Sequence, residues 1–156
     1  MTQDTNPYDP PTSDVGSPQT EVLSRRQLVP RWIKVFGWLF IVVAILTIPL
    51  MLWAVVAGEP VNFELFGINY TGPAMNPYAF GMQGLYLFMG ITAFGLLFGK
   101  DWGLLGAMAN GYLGLVICIL TMVFSGFTNI RVEPIIQLFY LRRLHKIQDQ
   151  WAEAGP

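Results

Sequence analysis

The sequence predicts an all-α membrane protein: a four-transmembrane-helix bundle with a short extracytoplasmic loop able to form a β-hairpin. Three observations lead there. Of 156 residues, 53% are hydrophobic and only 12% are charged, about half the usual charged share. The mean hydropathy of +0.47 does not fit a surface kept in water by charges of both signs. Between Val35 and Ile130, the only Asp, Glu, Lys or Arg residues are Glu59, Glu64, Lys100 and Asp101. A helix crossing a bilayer core of about 30 Å needs roughly 20 apolar residues, and the three charge-free stretches between these markers are all long enough.

Residues 1–24, with Pro7, Pro10, Pro11 and Pro18 among polar and acidic neighbours, have almost no apolar periodicity and are expected to be a disordered cytoplasmic tail. Residues 25–147 form the bundle, with helices expected over about 32–57, 77–99, 102–124 and 133–145, and residues 148–156 form a fraying cytoplasmic tail. The first helix places Trp32 and Trp38 near one interface and Trp53 near the other, as amphipathic indoles prefer. Pro49 removes a backbone donor within it, and Thr47 stands close enough to offer a replacement bond. Val55-Val56-Ala57 imitates a signal-peptidase site, but the apolar stretch is too long and starts too late for a cleaved leader.

Between Glu59 and Pro77, β-forming residues alternate imperfectly with turn residues. A hairpin there must rest on the bundle or the membrane surface, because an isolated two-stranded ribbon is marginal. Asn69-Tyr70-Thr71 matches a glycosylation acceptor, which matters only in a eukaryotic secretory pathway. The turn Gly99-Lys100-Asp101-Trp102 is so short that the second and third helices must be antiparallel neighbours. Arg25, Arg26, Arg31, Lys34 and Lys100 lie on one side of these helices, and the Glu59/Glu64 loop has no cation. The positive-inside pattern makes the amino terminus cytoplasmic.

The last segment is the hardest to place. Pro134 to Leu141 are uncharged, and as helix they reach only about 12 Å. A helix lying in the outer interface would leave Arg142, Arg143 and Lys146 on the wrong side, so a short fourth crossing that thins the bilayer is favoured over three spans. Arg131 and Glu133 then form its polar entrance, Glu133 favouring the positive end of the helix dipole and Arg131 anchoring to phosphate.

The third helix carries Gly103, Gly106, Ala107, Asn110, Gly114, Cys118, Thr121 and Ser125 at helical spacing, and the second carries Gly81, Gly84, Phe88, Thr92, Gly95 and Gly99. Lipid does not drive helices together, so close backbone approach and interhelical hydrogen bonds must. These faces close the hairpin between the two helices or meet another chain. Asn110 and Gln83 stand at depth, where an amide needs a partner. The partner is a structural hydrogen bond or, with Tyr86 and Tyr112, a ligand such as a quinone.

Catalytic chemistry is thin. The first three helices hold no ionisable Asp, Glu, His, Lys or Arg between their ends, which weighs against proton-driven transport. One Cys118 and one His145 do not make a zinc site or a paired haem ligand set, so no metal or cofactor is expected. His145 lies in the basic run Arg142 to Lys146, which suits headgroups. A net charge of -1 gives no case for nucleic acid.

Four spans, an acidic outer loop running into Leu65-Phe66-Gly67, a glycine-rich second helix and the Lys100-Asp101-Trp102 turn resemble small four-helix bacterial membrane proteins of uncharacterised function. The resemblance covers about Trp32 to Lys146 and implies a compact bundle in the bacterial inner membrane with both termini cytoplasmic, and no catalytic residue. The leading expectation is a non-enzymatic accessory or assembly component whose partners are the bilayer and a second copy or another membrane protein. The alternative is a small transporter or lipophilic-ligand-binding protein with its site between helices two and three.

Overall fold

The computed structural model describes residues 24–125 and 132–154. The tail expected over residues 1–24 lies, but for Ser24, outside them, and so does Arg131. The described elements run α1 (Arg25–Leu28), α2 (Arg31–Ala57), β1 (Pro60–Leu65), β2 (Ile68–Pro73), α3 (Pro77–Leu97), α4 (Gly103–Phe124) and α5 (Glu133–Glu153). Three of them, α2, α3 and α4, are long and apolar enough to span a membrane. The architecture is compatible with a multi-pass membrane protein.

The local signals act as their chemistry requires. Asn76 caps α3 by accepting from the Tyr78 N–H at 2.9 Å, with Pro77 in the first turn, where a missing donor costs little. Gly58 ends α2 in the left-handed region, its N–H donating to Ala54 O. The strands pair antiparallel from Pro60 opposite Pro73 to Leu65 opposite Ile68, with a proline on each strand at the open end of the ladder. The two-residue turn between them has positive φ at both positions, 51° at Phe66 and 86° at Gly67. That geometry matches the twist of a hairpin, but a phenylalanine rarely takes it.

Helix α2 packs on α3, α3 on α4 and α4 on α5. Small residues set the first approach: a Cβ added at Gly37 would stand 3.0 Å from Leu97 Cδ1, and one at Gly90 would collide with Ala44 Cβ. The rest of α2 is inside-out for a water-soluble protein, with Leu39, Ile45, Leu52 and Val56 all exposed. Thr47 donates to Ala44 O rather than to the Ile45 carbonyl that Pro49 leaves without its helical donor.

Two apolar cores hold the row of helices. One, at the end rich in arginine and lysine, gathers Val29, Ile33, Leu96, Leu104, Leu144 and Trp151. The other, at the hairpin end, gathers Met51, Ala54, Phe63, Ala74, Ala79 and Met82. The hairpin therefore lies on the bundle, as a marginal ribbon must.

Helix α5 differs from expectation in length. It continues past residue 145 to Glu153, because Leu144, Ile147 and Trp151 extend the buried stripe begun by Leu141. It runs antiparallel to α4: Glu133 is level with Cys118, Leu141 with Gly111, and Leu144 with Leu104 and Ala107. Its carboxyl end meets the short α1, an element the sequence reading did not include. There Arg25 donates from Nε to Trp151 O at 3.1 Å and from Nη1 to Gly99 O at 3.4 Å, and pairs with Asp101. One guanidinium thus ties together the amino-terminal segment, the α3–α4 turn and the end of α5.

Candidate functional site

The small-residue face of α4 is used twice over. Its lower half packs on α3: a Cβ at Gly103 would strike the Gly95 carbonyl, Gly95 itself lies under the Trp102 ring, and a Cβ at Gly106 would stand 3.2 Å from Thr92 Cγ2. The upper half meets the hairpin turn. A Cβ at Gly114 would lie 2.6 Å from the Phe66 ring, and Thr121 Oγ1 is 3.4 Å from Phe66 O. The hairpin turn is thus inserted alongside α4, down to the level of Gly114. Ten residues separate Gly114 from the end of α4 at Phe124, so the insertion reaches about 15 Å at helical rise.

Below the turn, between the two cores, lies a cleft of about 350 Å³. Helix α2 contributes Trp32, Phe36 and Phe40 to one wall, and α5 contributes Ile136 and Tyr140 to the opposite one. The two walls approach at an edge-to-face contact between Trp32 and Tyr140, with ring centroids 6.4 Å apart. α3 and α4 form the back, with Thr92 and Asn110. The volume is at the lower end of the range for small-molecule sites, roughly 300–1,000 Å³.

Six polar residues line this apolar cleft: Glu64, Thr92, Asn110, Glu133, Gln137 and Tyr140. Thr92 satisfies its hydroxyl within its own helix, donating to Met89 O at 3.0 Å. Glu133 Oε2 accepts from the Cys118 thiol at 3.6 Å. Two amides differ. Asn110 is only 9% exposed and its side chain makes no hydrogen bond to any described residue. The Oε1 of Gln137 is buried and has no hydrogen-bond partner. Groups of this kind normally find partners, because leaving one unsatisfied costs about 1–3 kcal/mol.

The residues singled out from the sequence do not gather in one place. Gln83 faces α2, its Nε2 donating to Thr47 Oγ1 at 3.0 Å. Tyr86 donates to the Glu64 carbonyl at 2.7 Å, holding the hairpin. Tyr112, on the flank facing α5, contacts His145 Nε2 at 3.2 Å, while His145 Nδ1 lies 2.9 Å from Leu141 O. A proton on Nδ1 satisfies that carbonyl and leaves Nε2 to accept from the phenol. Gly99 lies past the end of α3 in a left-handed turn beside Arg25. Of the four proposed ligand contacts, Asn110 alone lines the cleft. Glu133 does too, in the first turn of α5, although its expected companion Arg131 lies outside the described residues.

Glu64, Gln137, Thr92 and Tyr140 were not singled out from the sequence as site residues. A signal existed for two of them. Gln137 is the one amide in the uncharged run from Pro134 to Leu141, and Glu64 interrupts apolar Phe63 and Leu65 in a strand. Comparison of the chain with protein families, with curated proteins and with solved structures finds no match.

Proposed function

We propose that the chain is a four-crossing protein of the bacterial inner membrane that binds a lipophilic ligand in the cleft bounded by α2, α3, α4 and α5. The observation that carries this reading is Asn110: a residue nine-tenths buried that lines a cavity of molecular size, its side chain making no hydrogen bond to any described residue. Gln83 is bonded across helices through its Nε2 to Thr47, although its Oε1 is buried without a partner, whereas the Asn110 side chain makes no such bond. The site expected between helices two and three is enlarged in this reading by the hairpin turn and by α5.

Four crossings are favoured by the position of the α5 carboxyl end. The Arg25 contacts hold it beside the α3–α4 turn, the end that the cation distribution assigns to the cytoplasm. At 21 residues α5 is about 31 Å long, and Arg142, Arg143 and Lys146 then lie at inner headgroups.

A second reading, the accessory or assembly component, is favoured by one feature. No atom stands within 4 Å of a Cβ added at Gly81 or Gly84, so α3 offers a smooth strip to another helix.

Native mass spectrometry of protein released from membranes tests the first reading. The wild type carries a small-molecule adduct, whereas Asn110→Leu elutes with the same oligomeric state and without it. An unliganded wild type with no small-molecule affinity overturns the ligand-binding reading.

A further inference from the structure

We infer, resting on the ligand-binding reading above, that the occupant of the cleft is an anionic diacyl phospholipid of the inner leaflet. Its phosphate lies at a rim formed by Arg31 and Arg143, an ester carbonyl meets Asn110 and Tyr140, and one acyl chain follows the aromatic wall of α2.

The cleft is open along one side. Trp32, Phe36, Leu39 and Ile136 line it and are nevertheless exposed, so an occupant enters between α2 and α5. Two cations stand at the lower end of that gap. On α5, Arg143 follows Ile136 by seven residues and Tyr140 by three, which puts it on the same edge of the helix, about 4.5 Å below the tyrosine. On α2, Arg31 precedes Leu39 by eight residues and opens the helix beside Trp32. Both arginines are exposed, and neither pairs with a described carboxylate. The Trp32–Tyr140 ring contact holds the two helices together at this level. Guanidinium groups match phosphate oxygens two at a time, and basic pockets between helices on the cytoplasmic side suit anionic headgroups.

One turn further in lie two donors, the Asn110 amide and the Tyr140 hydroxyl, and neither makes a hydrogen bond to a described residue. They are level with one another: a Cβ added at Gly111, next to Asn110, would stand 3.4 Å from Tyr140 Cδ1. An ester carbonyl accepts and does not donate, and in a phospholipid it follows the phosphate by the short glycerol link. A fatty acid seated at the arginines would leave Asn110 against hydrocarbon, and a quinone carbonyl at Asn110 would leave the rim without an anion. A phospholipid supplies both groups. The two carboxylates do not oppose it. Glu133 is level with Cys118, eight residues or about 12 Å beyond Asn110 on α4, Glu64 comes in with the hairpin turn at that end, and both are already engaged. The wall from Trp32 to Phe40 also runs about 12 Å. It receives the first half of an acyl chain, and the remainder passes out between Leu39 and Ile136.

The test titrates the full-length protein in detergent with dioleoylphosphatidylglycerol, dioleoylphosphatidylcholine and the dialkyl ether analogue of the phosphatidylglycerol, and reads the bound lipid by native mass spectrometry. One phosphatidylglycerol per chain is expected to bind about tenfold or more tightly than phosphatidylcholine, the scale of one charge-assisted hydrogen bond. The ether analogue, which has the phosphate without the carbonyls, binds several-fold more weakly than the ester. Arg31→Gln combined with Arg143→Gln brings phosphatidylglycerol to the level of phosphatidylcholine, and Asn110→Leu brings the ester to the level of the ether. Arg142→Gln combined with Lys146→Gln, on the opposite edge of α5, leaves the headgroup preference in place. The wild-type ratios need no variant, so they decide the matter even if a substitution impairs insertion. Equal binding of the two headgroups, or a preference that the Arg142 and Lys146 substitutions remove as fully as those at Arg31 and Arg143, overturns the phosphate rim. Equal binding of ester and ether overturns the carbonyl contact. A protein that retains another small-molecule adduct but binds none of the three lipids overturns the phospholipid and leaves the ligand-binding reading standing, whereas a protein that binds nothing overturns both.

Discussion

The end of the bundle bearing Arg25 and the cleft above it are built from similar materials and finished differently. At the Arg25 end, a largely buried guanidinium meets two backbone carbonyls and a carboxylate, and its Cζ lies 5.9 Å from the centroid of the Trp151 ring. Apolar side chains from α2, α3, α4 and α5 close around Leu144, and among the described residues there only Trp151 Nε1 is a buried side-chain polar atom without a partner. One helical turn or two further along, the same four helices leave a cavity, and there the Gln137 Oε1 and the Asn110 side chain have no hydrogen-bond partner among the described residues. The difference lies in packing more than in polar pairing, since Gln83 Oε1 at the α2–α3 contact is also buried without a partner: apolar side chains fill one end, and the other keeps a space of molecular size beside its amides.

The sharpest way to break the closed region is at its tightest approach. Gly103 lies against the Gly95 backbone, and backbone does not yield as a flexible side chain does. Gly103→Leu is expected to separate α3 from α4 and cost about 3 kcal/mol or more, read as a lower midpoint in unfolding by denaturing detergent. A midpoint within error of wild type would show that the α3–α4 contact does not hold this end together.

Arg25 comes next in size. Its side chain is 12% exposed and Asp101 is 89% exposed, so the ion pair itself is screened and contributes little. Asp101→Asn is expected to cost under about 1 kcal/mol. Arg25→Ala also strips Trp151 O and Gly99 O of a charged donor and uncovers the Trp151 ring, and is expected to cost about 2 kcal/mol. The same unfolding assay separates them. Equal losses would mean that the pair, and not the carbonyl contacts, joins α1 to α5.

The closed region was more legible in the sequence than the cleft, for a physical reason. Charges at Lys100 and Asp101 bracket the turn, and the i, i+3, i+4 spacing of small residues on α4 records local helix packing. The limits of α2, α3 and α4 follow from such near-neighbour signals. The length of α5 was missed because uncharged residues alone were counted, although Leu144, Ile147 and Trp151 keep helical spacing beyond them. The cleft has no local signature. It is assembled from four helices and a turn, and Glu64, Asn110 and Gln137 come together only because Phe66 adopts a left-handed conformation and enters beside Gly114. No periodicity in any one segment encodes that meeting.

The smallest expected effect concerns the outer face of α3, and it separates the two readings of the chain. Gly81 has open space where its Cβ would be, and in a helix interior alanine is favoured over glycine by about 0.5–1 kcal/mol. If nothing covers that strip, Gly81→Ala raises the unfolding midpoint slightly and leaves the mass of the solubilised particle unchanged. If another helix lies on it, the added methyl prevents backbone approach, and the particle loses mass on crosslinking while the single chain remains as stable as before. Gly84→Ala should act in the same direction, since the two glycines are one turn apart on one face. Particle mass and chain stability thus respond independently. A change in mass alone favours the assembly reading, whereas a change in stability alone leaves the cleft as the feature of this bundle that awaits an occupant.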